Sequence, residues 1–84
     1  MKSSGHETER MELTVKLFAT FRDGRFEKAQ LDYPPGTTLA DIVDALRIPR
    51  GEIGVMLVMG RHAELEHTPA PGDTVAIFPR IGGG

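Results

Sequence analysis

The chain has 84 residues, which is enough for one small domain. Leu, Ile, Val and Phe supply 21 of them, a sufficient share for a folded core, and the absence of Cys excludes disulfides, Cys-ligated metal sites and thiol chemistry. The net charge of −2 is not typical of a nucleic-acid-binding protein, and no apolar run is long enough to span a bilayer or to direct secretion. We therefore expect a cytoplasmic protein with neither nucleic acid nor membrane as a partner.

The folded part is predicted to begin at Met11. Residues 1–10 contain no Leu, Ile, Val or aromatic residue, so we expect a flexible N-terminal extension there. Residues 12–17 alternate between polar and apolar, which is typical of a half-buried strand. Leu13, Val15 and Leu17 are predicted to face the core, while Phe18 faces the other side.

A second strand is predicted over residues 26–33. The Asp23-Gly24 dipeptide before it commonly closes hairpins, so the two strands should form an antiparallel hairpin. Pro34 and Pro35 end the second strand because proline lacks the N–H that a sheet ladder needs.

A helix is predicted over about residues 38–47. Its apolar residues follow the spacing of one helical stripe: Leu39, Ile42, Val43 and Leu46. Thr38 is placed to cap the N-terminus, with Asp41 three residues later completing a capping box. Arg47 in the last turn would suit the helix dipole, and Pro49 prevents continuation.

Three further strands are predicted, at residues 55–59, 63–65 and 74–78. The second is a short edge strand, and a turn at residues 71–73 precedes the third. One amphipathic helix across a mixed sheet of about four to five strands is an α+β architecture. If the first and last strands pair in parallel, residues 11–81 form a ubiquitin-like β-grasp domain with one main helix.

No catalytic or metal-binding set stands out in the body of the chain. Ser is absent after residue 10, and His62 and His67 lack the spacing of metal ligands. Asp41 and Asp44 are interpreted as a solvated helix face rather than an acid–base pair. We therefore expect no metal site, no bound cofactor and no catalytic activity of the chain by itself.

The unusual feature is the segment Gly82-Gly83-Gly84, which comes three residues after the last predicted strand. Glycine has no side chain, so such a flexible tail can enter a narrow channel in another protein. The Gly84 carboxylate could then be activated as an acyl-adenylate with ATP. Terminal glycines are also common in inert tails. Here, however, only three residues separate them from a strand that the fold needs.

Three segments together resemble one known family: Val15–Asp23, Gly36–Asp41 and Pro71–Gly84. They resemble the MoaD/ThiS family of ubiquitin-like sulfur carriers, with the small subunits of molybdopterin synthase as the most similar branch. The resemblance implies three partners: an adenylating enzyme of the ubiquitin-activating type that uses ATP, a persulfide sulfur donor, and the large subunit of molybdopterin synthase. It also implies a cycle in which a thiocarboxylate forms at the chain terminus and donates sulfur for the molybdenum or tungsten cofactor.

The same resemblance assigns residue roles. It implies that Gly83 and Gly84 carry the tail chemistry, and that partners are bound by Phe18, Phe78, Pro79, Arg80, Ile81 and Gly82. The strand alternation independently predicts that both phenylalanines lie on the face opposite the core, in an exposed apolar patch. Two positions depart from the family pattern: Met59, where members often have Asn, and Arg80, where many have a second Pro.

Three functions stay open at this point. The first is a sulfur carrier for molybdopterin synthesis, with thiamine-type or other sulfur transfer as a variant of it. The second is a ubiquitin-like modifier joined to lysines through Gly84. The third is a binding module of the same fold with an inert tail.

Overall fold

The structure is a computed structural model, and it describes residues 10–80. The predicted flexible extension, apart from Arg10, and the predicted tail at residues 82–84 lie outside the described residues, as does Ile81.

The described chain forms five strands, one α-helix and two short 3₁₀ helices. The strands are β1 (Met11–Leu17), β2 (Lys28–Tyr33), β3 (Ile53–Val58), β4 (Arg61–His62) and β5 (Thr74–Pro79). The α-helix is α1 (Leu39–Ala45), and the 3₁₀ helices span Ala19–Arg22 and Arg50–Glu52.

The five strands form one mixed sheet in the order β2-β1-β5-β3-β4. The first and last strands, β1 and β5, are parallel neighbours at its centre, with Val15 opposite Val75 and Leu17 opposite Ile77. The other neighbouring strands are antiparallel. Together with the single helix, this arrangement confirms the predicted ubiquitin-like β-grasp fold.

The core lies between one face of the sheet and α1. The predicted alternation is confirmed, because Leu13, Val15 and Leu17 are buried on β1, as are Val75 and Ile77 on β5. The helix contributes Leu39, Ile42 and Val43, all fully buried, and Leu46 packs against them at the edge. Phe21 and Ile48, which no periodic pattern marks, are also buried members of this core.

The start of α1 is the predicted capping box. The Thr38 hydroxyl oxygen accepts a hydrogen bond from the Asp41 N–H at 3.2 Å, and the Asp41 carboxylate accepts one from the Thr38 N–H at 3.1 Å. Both bonds satisfy N–H groups that have no partner within the helix.

The end of α1 differs from the prediction. The helix stops at Ala45, and Arg47 lies beyond it in the left-handed region with φ of 62°. The expected dipole partner is therefore wrong. The guanidinium of Arg25 takes this place, donating to the carbonyls of Leu46 at 3.0 Å and Arg47 at 2.9 Å.

The connection between β1 and β2 is longer than the predicted hairpin turn. The antiparallel pairing is confirmed, but the 3₁₀ helix Ala19–Arg22 intervenes and β2 begins at Lys28 instead of residue 26. Burying Phe21 in the core draws this segment inward, so Gly24 (φ 71°) turns the chain within a loop rather than closing a tight hairpin.

The short edge strand lies two residues earlier than predicted, at Arg61–His62 rather than 63–65. The reason is a competing use of the backbone, because the carbonyls of Leu65 and His67 accept hydrogen bonds from Ala40 and Leu39 at the start of α1, both at 2.9 Å. The middle strand is likewise shifted, since it begins at Ile53 and ends before the turn at residues 59–60.

Candidate functional site

Hydrogen bonds fix the backbone that follows β5 as far as Arg80. The Arg80 N–H donates to the Glu52 carbonyl at 2.9 Å, and its guanidinium donates to the Gly51 carbonyl at 3.1 Å. Both acceptors belong to the 3₁₀ helix that precedes β3. The direction in which the chain leaves the sheet is therefore set only four positions before Gly84.

The path of the backbone after β5 depends on a glycine in β3. The ladder between β3 and β5 is irregular between Ile53 and Val55, so that Ile53 pairs with Pro79 and Val55 with Phe78. Gly54 lies at this irregularity and has backbone atoms of Pro79 and Arg80 against it, where a side chain would clash. A β-bulge with glycine is a usual way for two backbones to approach closely.

Phe18 and Phe78 form a stacked aromatic pair on the face of the sheet opposite α1. Their ring centroids are 4.2 Å apart and the ring planes differ by 11°. Both rings are half-buried, and β1 and β5 run in parallel, so the pair lies at the same end of the sheet as the exit at Arg80. The structure thus brings together the two aromatic residues that the sequence had singled out.

Arg22 extends over the Phe18 ring of this pair. Its guanidinium carbon lies 5.5 Å from the centroid of the Phe18 ring, within the range of a cation–π contact. The same group donates to the Leu17 carbonyl at 2.9 Å and forms an ion pair with Glu27 at 3.3 Å. Phe18 therefore contacts both an aromatic ring and a cation.

Of the other predicted site residues, the structure describes Pro79 and Arg80. Pro79 is half-buried as the last residue of β5, and Arg80 is exposed directly after it. Ile81, Gly82, Gly83 and Gly84 lie outside the described residues. Their roles stay predictions.

Sequence reasoning missed Gly54 and Arg22 as parts of this region. A glycine within an apolar run is a general signal for a bulge or close approach, and it was available for Gly54. Arg22 had no such signal, because its contact with Phe18 depends on the 3₁₀ helix that turns it back over β1.

The histidines and carboxylates of the described residues are dispersed over the surface. Between residues 10 and 80, no group of three or more His, Cys, Asp and Glu residues could hold a metal ion. His62 contacts Glu64 at 3.6 Å, with both side chains largely exposed. Asp44 accepts two hydrogen bonds from Arg50, which lowers the pKa of that carboxyl, but this pair lies on the exposed side of α1.

In the part of the chain that the structure describes, no helix has the length and apolar character needed to cross a membrane.

Known structures similar to this chain are small ubiquitin-like proteins. The Haloferax volcanii HVO 2177 protein has 26% identity and a TM-score of 0.73, with 89% of this chain and 88% of that chain covered. The small archaeal modifier protein 1 of H. volcanii has 26% identity and a TM-score of 0.69, with 84% and 99% covered.

A putative molybdopterin converting factor subunit 1 from Pyrococcus furiosus has the same fold, at 23% identity and a TM-score of 0.68, with 84% of this chain and 99% of that chain covered. This likeness shows a shared fold, which agrees with the ubiquitin-like fold that the sequence motifs implied. No curated protein sequence matches the chain significantly.

The family model described as Mut7-C ubiquitin matches residues 11–82, which include every described residue except Arg10. That match includes the five-stranded sheet and the capped helix α1. It also includes the hydrogen-bonded backbone at Arg80 and the stacked pair of Phe18 and Phe78. The chain belongs to the Mut7-C ubiquitin family.

Proposed function

We propose that this chain is a sulfur carrier that works through a C-terminal thiocarboxylate. The observation that supports it best is that hydrogen bonds fix the backbone at Arg80, where the chain leaves β5, at the same end of the sheet as the Phe18–Phe78 pair. A carrier needs a rigid body that a partner can grip and a thin segment that enters the partner's active site. Glycine suits that segment because it adds no side chain to the channel.

The chemistry takes place on partner enzymes in three steps. The Gly84 carboxylate attacks the α-phosphorus of ATP, pyrophosphate leaves, and an acyl-adenylate forms. The terminal sulfur of a persulfide attacks the acyl carbon and AMP leaves, giving an acyl disulfide. A thiol then attacks the other sulfur of that disulfide, which releases the thiocarboxylate and a new disulfide.

The carrier itself supplies no catalytic side chain in this scheme. Its residues position the tail and bind partners, with Phe18 and Phe78 as the docking pair and Pro79 and Arg80 as the base of the tail. Half-buried aromatic side chains are frequent anchors in protein interfaces. We propose molybdopterin synthesis as the pathway and its large synthase subunit as the sulfur acceptor, supported by the likeness to the converting factor subunit 1.

Intact-mass spectrometry tests the carrier function. The protein is incubated with the adenylating enzyme of its own organism, ATP, Mg²⁺ and a persulfide donor. We expect the mass change of one oxygen exchanged for sulfur. A variant extended by one residue beyond Gly84 is the matched control and should stay unchanged. No mass change in the native chain, with an enzyme that activates another carrier, overturns the proposal.

Phe78→Ala tests the docking pair in the same assay. We expect a higher KM for the carrier at the adenylating enzyme with little change in kcat, because the tail itself is intact. The variant should also lose part of its stability, about 1 kcal/mol, since Phe18 loses its stacking partner. An unchanged KM would show that the aromatic pair is structural only.

A modifier function is the second candidate, favoured by the likeness to small archaeal modifier protein 1 at 26% identity. The two functions share the adenylate and differ in the nucleophile that follows. Recovery of this chain in isopeptide linkage to lysines of other proteins, in cells that express it, would favour the modifier over the carrier.

A further inference from the structure

Two lysines lie directly opposite each other on the outer face of the sheet. Lys16 on β1 and Lys28 on β2 are partners in the antiparallel ladder, so both side chains leave the same face. Like charges in this arrangement destabilise a sheet. Within residues 10–80 neither lysine forms an ion pair.

The two lysines border an open surface groove of about 500 Å³. It is lined by Lys16, Phe18, Arg22, Glu27 and Lys28. Among the described residues of its lining, only Glu27 has a carboxylate, and it is paired with Arg22 rather than with a lysine. The described lining thus has a net charge of +2 on a chain whose net charge is −2.

An apolar strip continues from the groove across the sheet. Ala76 is the register partner of Lys16 on β5, and Leu57 on β3 is the next partner in the same row. Phe78 stacks on Phe18 and pairs with Val55 in the neighbouring row. Positive charge and apolar surface therefore adjoin on one face, at the end from which the chain leaves β5.

We propose that this groove binds an acidic segment of a partner protein, whose carboxylates contact Lys16 and Lys28 while an apolar side chain packs beside Phe78. The inference deepens the proposed function, on which it rests only for the identity of the partner as an activating or sulfur-accepting enzyme. Charge complementarity of this kind speeds association and selects between partners.

A protein segment fits the groove better than a nucleic acid does. The Arg22 guanidinium lies over the Phe18 ring and Phe78 stacks on it, so this half-buried ring has little surface left to stack on a base. The chain as a whole has a net charge of −2, which opposes an extended phosphate backbone that continues past the groove along the rest of the surface.

A titration with a synthetic peptide of alternating Glu and Leu residues tests the proposal, followed by ¹⁵N–¹H NMR. We expect shift changes centred on Lys16, Phe18 and Lys28, and an affinity that falls as salt is added. Lys16→Glu should weaken binding roughly three- to tenfold. It should also raise the melting temperature, because a carboxylate opposite Lys28 replaces repulsion by attraction.

Arg61→Glu on β4 is the matched control, since it reverses one exposed charge outside the groove and should leave peptide binding unchanged. Equal affinity of Lys16→Glu and the native chain, or shift changes elsewhere, overturns the proposal. So does tighter binding of an oligothymidylate at the same groove. The peptide titration does not involve Gly84, so a failed thiocarboxylation with intact peptide binding counts against the proposed function alone.

Discussion

Gly54 and Pro79 approach each other so closely that an ideal Cβ on Gly54 would lie 2.7 Å from the Pro79 carbonyl oxygen. The same Cβ would lie 3.0 Å from the Cα and from the N of Arg80. These neighbours are backbone atoms, which cannot rotate away as a flexible side chain could. A side chain at position 54 must therefore displace the exit from β5.

Gly54→Ala is expected to keep the fold and to lose about 1–3 kcal/mol of unfolding free energy, the usual cost of overpacking. Displacing Arg80 should also weaken its N–H bond to the Glu52 carbonyl. Urea unfolding measures the first effect, and faster amide hydrogen exchange at Arg80 measures the second. If the carrier function is correct, activation of Gly84 slows as well.

Gly51→Ala is the matched control for this prediction. A Cβ at Gly51 meets no atom within 4 Å, although Gly51 belongs to the 3₁₀ helix that holds Arg80. We expect native hydrogen exchange at Arg80 in this variant. The same loss of protection in both variants would contradict the assignment of the effect to the close approach at Gly54.

Met59→Asn is expected to stabilise the protein by about 0.5–1 kcal/mol. Met59 (φ 53°) and Gly60 (φ 82°) form the two-residue turn between β3 and β4, and both have left-handed backbone angles. Asn tolerates this conformation far better than Met, and Asn-Gly is a favoured pair in such turns. Met59 is 63% exposed, so the substitution loses little burial.

Thermal and urea unfolding of Met59→Asn measure this gain. A loss of stability would mean that the hydrogen bond from the Thr74 N–H to the Met59 sulfur, at 3.3 Å, contributes more than the backbone strain costs. Met59→Ala separates the two effects, because it removes the sulfur and keeps an unfavourable residue in the turn.

Arg25→Met is expected to destabilise the fold by about 2–3 kcal/mol, as hydrogen bonds to a charged group are lost together. The Arg25 guanidinium donates to the carbonyls of Leu46 and Arg47 after α1 and, at 3.1 Å, to that of Phe21 in the first 3₁₀ helix. It joins the β1–β2 connection to the end of the helix.

Urea unfolding measures this loss, with Arg61→Met as the control. Arg61 lies exposed on the short strand β4, so its replacement should change stability by no more than about 0.5 kcal/mol. Equal effects of the two substitutions would show that Arg25 acts through general charge rather than through its hydrogen bonds.

The Asp44–Arg50 pair predicts a small acid sensitivity. Hydrogen bonds from Arg50, at 3.1 and 2.6 Å, lower the pKa of Asp44 in the folded state. A carboxyl with a lowered folded pKa stabilises the fold above its unfolded pKa, and this contribution is lost as pH falls through the folded pKa. The loss therefore occurs below about pH 4.

Unfolding free energies of the native chain and Asp44→Asn, measured from neutral pH into this acid range, check the linkage. We expect the two proteins to converge as the pH falls, because Asn cannot lose a charge there. The pair is exposed, so the difference at neutral pH should be small. A constant difference at all pH values would contradict the linkage.

Much of the architecture could be predicted from local patterns. The buried alternation from Leu13 to Leu17 and the capping box of Thr38 and Asp41 depend on residues close together in the chain, so their spacing alone identifies them. The edge strand was misplaced because its neighbours bond to the start of α1, a distant segment that no local window includes.

The sequence by itself determined the order of the elements, their inner faces and the placement of Phe18 and Phe78 on the outer face, because side-chain direction alternates along a strand. Only the tertiary structure decided that these rings stack, that Lys16 opposes Lys28 and that Gly54 admits the backbone of Pro79. Those relationships depend on strand register and on the packing of segments far apart in the chain, and neither is encoded in the spacing of one segment.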